Sequence, residues 1–156
     1  MIAIQNKNAD VAELLINHPK IDINSNNNGD QTALTIAVQN ELIKIVDLLI
    51  NHESFDPEES RLNCSFGITN NDEIAKKLIS SKYLDINESI IDVPNQQIRY
   101  GNFNSNQVET PLNIAVKNNN QEMVDLIIHH PSFDKTKSKL YLSIFLSANR
   151  NEIVYF

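Results

Sequence analysis

The sequence predicts an all-α fold, a solenoid of short two-helix units joined by extended turns or β-hairpin linkers. Three observations carry this. The stretch "TALTIAVQNELIKIVDLLINH" from Thr32 to His52 is answered by "TPLNIAVKNNNQEMVDLIIHH" from Thr110 to His130, with Thr, Leu, Ala, Val, Asp, Leu, Ile and His recurring at a constant offset. Apolar residues inside these stretches fall at helical intervals. And 156 residues hold only 3 Gly and 5 Pro, too few turn formers for a β-sandwich.

The repeating unit reads as helix, turn, helix, extended turn. Its first helix is short, Ala33 to Asn40, with Leu34, Ala37 and Val38 spaced i, i+3, i+4. Thr32 and Thr110 stand where a side chain can cap that helix, and Pro111 suits its first turn, where the missing N–H costs nothing. The second helix is expected from Leu42 to His52, with Ile45, Val46, Leu48 and Leu49 on its apolar side. Pro19 and Pro131, just after "NH" and "HH", are expected to stop it. The linker "KIDINSNNNGDQ" then supplies an extended D-I-N piece and turn residues.

The same unit recurs along the chain. Ile2-Ala3-Ile4 lies beside Ile36-Ala37-Val38, and Ala12-Glu13-Leu14-Leu15-Ile16 beside Val46-Asp47-Leu48-Leu49-Ile50, at a period of about 34 residues. Ile74 to Ile79 and Leu84 to Asn87 repeat the second half of the unit, while "RLNCSFGITNN" before them is a degenerate first half. "KLYLSIFLSANRNEIV" begins one more copy. The chain is thus one array of about three full and two partial units, 1–24, 25–58, 59–87, 105–136 and 137–156, with an insertion at 88–104. A two-helix unit cannot bury its own apolar face, so repetition is a stacking rule; Ala37 and Ala115 are small enough for neighbouring units to approach closely.

"TPLNIA" (Thr110 to Ala115) and "TALTIA" (Thr32 to Ala37), followed by "VDLLI", "VDLII" or "AELLI" and then by "IDIN" or "LDIN", resemble the ankyrin repeat. That family's signature is T-P-L-H-x-A, an apolar V-x-L-L-L and a linker ending in D-x-N. The likeness covers nearly the whole chain. Thr35 and Asn113 replace the first-helix histidine, and prolines 19 and 131 replace the glycine that usually ends the second helix. The resemblance implies a non-enzymatic protein-interaction module that binds on a concave face of linker tips and first helices. On this chain those positions are Asn28, Gly29 and Gln31, then Asn106, Gln107 and Glu109, with Gln5-Asn6, Gln39-Asn40 and Lys117-Asn118 on the helices. This face is rich in amides, which hydrogen-bond in either sense but also make an ordinary solvated surface.

The linker between Asn87 and Thr110 carries about fifteen more residues than the one between Asn24 and Thr32. It holds Arg99, Tyr100 and Phe103, of the residue types enriched in binding hot spots. Long connections in compact arrays are often functional, so these three are candidates for partner contact; alternatively, Tyr100 and Phe103 fold back over the weak third unit.

Little points to chemistry. A net charge of −7 disfavours a nucleic-acid partner. No apolar run approaches the ~20 residues of a membrane span. One cysteine, Cys64, leans towards a reducing compartment, and the chain is expected to be cytoplasmic. "NCS" and "NES" match the glycosylation pattern, as chance allows in an Asn- and Ser-rich chain. His18, His52 and His130 hold equivalent places in units packed about 8–10 Å apart, too far to share an ion at a ligand distance of ~2 Å; they are expected to meet the negative ends of helix dipoles. "SFDK" from Ser132 lacks the companion motifs of serine acyl transfer. "DPEES" (Asp56 to Ser60) lacks the calcium-loop pattern and reads as a helix start. Cys64 has no cation beside it in sequence and is expected to be buried and inert. No catalytic, metal or cofactor site is expected. Two further readings stay open: a substrate-recruiting or regulatory segment of a larger enzyme, and an array that self-associates end to end. The sequence opens inside a first helix and stops inside a second, as expected of a fragment of a longer array or of open ends that stack on another chain.

Overall fold

The structure, a computed structural model, describes residues 1–27, 29, 31–87, 110–117 and 119–138. The chain divides into two compact units, Met1–Leu84 and Asp85–Phe156. Among the described residues, the first unit contains α1 (Ile2–Gln5), α2 (Ala9–Ile16), α3 (Ala33–Gln39), α4 (Ile43–Ile50), α5 (Leu62–Ile68) and α6 (Asp72–Ile79). The second contains α7 (Pro111–Lys117) and α8 (Gln121–Ile128). Within the first unit the first helices form one row, α1 on α3 on α5, and the second helices another, α2 on α4 on α6.

Apolar side chains fill the space between the rows. Leu34, Ala37, Ile45, Val46, Leu49, Leu62, Ile74 and Leu78 are essentially sealed from solvent. Burial of a Leu or Ile side chain is worth about 1.5–3 kcal/mol, so this shared core holds helices of seven or eight residues that would not persist alone. Ala37 and Ala115 are both buried, as expected of small contact residues.

Local chemistry fixes where each helix begins. Thr32 and Thr35 form a reciprocal capping box: the Thr35 N–H donates to Thr32 Oγ1 (3.2 Å) and the Thr32 N–H to Thr35 Oγ1 (2.9 Å). Thr35, at the place of the family histidine, thus completes the cap. Pro111 opens α7, where Thr110 Oγ1 accepts the Asn113 N–H (3.4 Å). The second helices start on asparagine: Asn8, Asn71 and Asn120 accept from Val11, from Glu73 and Ile74, and from Met123. Among the described residues α4 alone breaks this rule, with Leu42 at the cap and no side-chain bond.

Three sequence expectations need correction. Proline does not stop the second helices. α4 is followed by Glu53 where the neighbouring linkers carry Pro19 and Pro131, yet it ends in the same register. In the four described copies the backbone tightens to a three-residue bond, His18 to Leu15, His52 to Leu49, Ser81 to Leu78 and His130 to Ile127, so the turn itself ends the helix. The expected ends at Asn40 and His52 contract to Gln39 and Ile50 for the same reason. Nor does "DPEES" start a helix. Asp56 Oδ1 accepts the Glu58 and Glu59 N–H groups (2.9 Å each), making a separate turn over 57–60. α5 then begins after Arg61, which lies in the left-handed region (φ 56°).

The turns between paired helices also pass through that region, at Lys7 (φ 56°), Glu41 (φ 57°) and Asn119 (φ 53°). Asparagine adopts it readily; lysine and glutamate do so at a cost of about 1 kcal/mol.

Candidate interaction surface

The sequence-derived surface falls on the linker tips and first helices. The first linker closes as a small hairpin, with an Asn26–Thr32 antiparallel bridge and the Asn27 N–H donating to Gln31 O (2.9 Å). Asn27 organises the tip: its Oδ1 accepts the Gly29 and Gln31 N–H groups (2.9 Å each), and its Nδ2 reaches Gln31 Oε1 (3.2 Å). Gln31 Nε2 then donates to Gln39 Oε1 (3.2 Å), tying the tip to the end of α3. Gln5 and Gln39 stand exposed at equivalent positions of α1 and α3. Asn40 is committed elsewhere, its Nδ2 donating to Ile4 O of the preceding repeat (3.1 Å). Lys117 closes α7. Asn28, Arg99, Tyr100, Phe103, Asn106, Gln107, Glu109 and Asn118 lie outside the described residues.

Beneath the tips runs a network missed in the sequence. The asparagine of each D-I-N piece is a tie between successive linkers. Asn24 Nδ2 donates to Ser54 O (2.7 Å), while its Oδ1 accepts the Asp56 N–H (3.1 Å) and the Ser60 hydroxyl (2.6 Å). Asn87 repeats this, with Nδ2 on Ser132 O (2.7 Å) and Oδ1 accepting the Asp134 N–H (2.8 Å). Thr32 and Thr110, besides capping, donate from Oγ1 to Ser60 O (2.9 Å) and Ser138 O (3.0 Å). The signal was present in the sequence, since Ser54, Asp56 and Ser60 recur as Ser132, Asp134 and Ser138 in "SFDPEES" and "SFDKTKS".

Each linker also carries an aspartate that accepts the N–H two residues on: Asp22 from Asn24, Asp56 from Glu58, Asp85 from Asn87 and Asp134 from Thr136. At Asp134 the Thr136 hydroxyl bonds as well, and these contacts hold its carboxyl below the usual aspartate range.

Three of the histidines, each just past the C-terminus of a second helix, bond within the following turn. Nδ1 of His18, His52 and His130 accepts the N–H of Lys20, Ser54 and Ser132 (3.2, 3.2 and 3.3 Å). In each turn Nδ1 takes the place that an aspartate oxygen takes in the other linker turns. His129 is different: its Nδ1–H donates to Asp125 O (2.9 Å) at the end of α8, 3.1 Å from the Asp125 carboxylate.

Electrostatically the joints are laced by the pairs Lys44–Glu13 (2.6 Å) and Lys77–Asp47 (2.9 Å), the second partly buried, and solvent screens both. On the second helices an open groove of about 940 Å³ sets Lys76, Lys77 and Lys82 against Asp47, Glu53 and Glu73, and so favours neither charge. Cys64 is half-buried; burial pushes its thiol up, and Arg61, one turn back, partly offsets this. The expected lack of a cation near Cys64 is therefore corrected. Among the described residues no group of three His, Cys, Asp or Glu side chains could hold a metal, and no helix is long and apolar enough to cross a membrane.

No curated protein and no solved structure gives a significant match to the chain. A family model of ankyrin repeats in three copies matches residues 1–90, and a single ankyrin repeat matches 109–137. With the motifs, the helix pairs and their stacking in agreement, the chain belongs to the ankyrin repeat family.

Proposed function

We propose that this chain is a non-enzymatic, cytoplasmic interaction module that binds a protein partner across its linker tips and first helices. Ankyrin repeats are generally protein–protein interaction modules, and their domains are typically non-catalytic. The observation that carries the finer reading is the tip-to-helix clasp of Asn27, Gln31 and Gln39. It holds amide groups in fixed positions on an exposed face, so binding there forfeits less side-chain entropy than at free amides. Gln5 extends the same row on α1. The acidic surface favours a protein partner over nucleic acid. Arg99, Tyr100 and Phe103 of the inserted linker are proposed as additional contacts, on their chemistry alone.

Photo-crosslinking tests the assignment. A crosslinkable residue at Gln5 or Gln39 should trap the same protein from a matching lysate, while one at Glu73 on the second helices should not. Trapping from Glu73 alone would move the binding face to the other row of helices. Shortening 92–106 to a turn should weaken the crosslinked complex; undiminished capture would remove the insertion from the interface.

A further inference from the structure

The amides of the first linker bond in one sense only, and main-chain groups set that sense. Asn27 Oδ1 accepts the Gly29 and Gln31 N–H groups, and a main-chain N–H can meet only the oxygen of a carboxamide. The atom of Asn27 turned to the Gln31 side chain is therefore Nδ2, which donates to Oε1. That leaves Gln31 Nε2 to donate to Gln39 Oε1. Each amide accepts from the one before it and donates to the one after. At Gln39 the chain runs out: among the described residues its Nε2 meets no acceptor. Gln39 is exposed, so this end is an NH2 group presented to solvent. Turning it over would set nitrogen against nitrogen at Gln31, so the hairpin tip holds its orientation. Gln5, at the same position of α1, has no linker amide bonded to it among the described residues, and its two ends can exchange.

We infer that Gln39 is the fixed donor of this face and that the partner sets an uncharged oxygen, a main-chain carbonyl, against it; this rests on the binding face proposed above. The directed chain ends in a donor, and polarisation along linked hydrogen bonds strengthens the bond made at its end. Gln39 is the last residue of α3, at the negative pole of that helix, which repels a carboxylate or phosphate. The net charge of −7 acts in the same direction. A main-chain carbonyl accepts without bringing charge, and an extended segment laid across the first helices carries one at every residue.

The free chain and the bound one give separate tests. In the free chain, NMR relaxation of the side-chain amides should find that of Gln39 held and that of Gln5 mobile. Gln31→Glu still accepts from Asn27 but cannot donate, and should bring Gln39 to the mobility of Gln5. Equal mobility of the two in the parent chain would overturn the directed chain. For binding, the probe is the protein crosslinked from Gln5, titrated against the parent and against Gln39→Glu. The glutamate keeps the acceptor for Gln31 and replaces the outer NH2 with oxygen, so affinity should fall about 10-fold or more, in high salt as in low. Unchanged affinity would overturn the donor while leaving the face in place. A loss that vanishes in high salt would make charge, and not the missing donor, the cause. If Gln5 crosslinks nothing, the face fails and the acceptor falls with it.

Discussion

The second and third repeats are neighbours of the same architecture built on unequal instructions. The second has a Thr32–Thr35 capping box, a first helix buried from Ala33 to Val38, and a left-handed Glu41 to turn the chain. The third has no side-chain cap on α5, a half-buried Asn63 and Cys64 in the helix, and an extended Thr69 (φ −78°, ψ 135°) where the other turns are left-handed. Even so, α5 and α6 lie where the array needs them. Packing sets helix position, and local motifs supply an increment to it. That is the behaviour expected when stability is a sum of unit and interface terms.

The comparison can be broken first at the core. Leu49→Ala and Leu78→Ala remove equally buried side chains from α4 and α6 and should each cost about 3 kcal/mol in urea unfolding. A much smaller loss at Leu78 would mean that the third repeat is loosely held and that the equality fails. At the caps the repeats should differ. Thr32→Ala removes the box and the donor to the buried Ser60 carbonyl, for a loss of about 2 kcal/mol, whereas α5 has no side-chain cap bond to lose. At the turns the sign should reverse. Glu41→Gly relieves a left-handed residue and should raise stability by about 0.5–1 kcal/mol, while Thr69→Gly loosens an extended one and should lower it by a similar amount. The smallest effect belongs to Cys64. Its thiol is pushed up by burial, so alkylation should reach its half-maximal rate at higher pH than a free thiol does, and unfolding in urea should abolish the difference.

Much of the fold was legible because it is written in periodicity. Ile45, Val46 and Leu49, with their counterparts Val11, Ala12 and Leu15, Ile74, Ala75 and Leu78, mark one helix face in every copy. Thr32 and Thr110 were legible because a cap is local. Roles that depend on backbone direction were not. Nothing in the words "IDIN" says that the asparagine reaches 30 and 32 positions ahead to the Ser54 carbonyl and the Asp56 N–H. Histidine after a helix suggested a role at the dipole, and only the structure shows the N–H arriving at its Nδ1 from two residues on. Left-handed Lys7 and Glu41 run against residue preference, so no reading by residue type would find them. On the candidate surface, Gln31 and Gln39 came together as a clasp, while Asn40 went to the joint between repeats.

The asparagine ties bear on how such a chain can change length. Thr32, His52, Ser54, Asp56 and Ser60 each recur 78 positions later as Thr110, His130, Ser132, Asp134 and Ser138, yet Asn24 recurs as Asn87 only 63 later. The difference of 15 positions falls wholly between Asn87 and Thr110, and the ties to the Ser54 and Ser132 carbonyls and to the Ser60 and Ser138 carbonyls form with and without it. Closing a connection of 23 steps rather than 8 costs only about 1 kcal/mol more. The stretch between tie and cap is therefore a splice point, where foreign sequence can be grafted at small energetic expense while the frame that displays it stays in register.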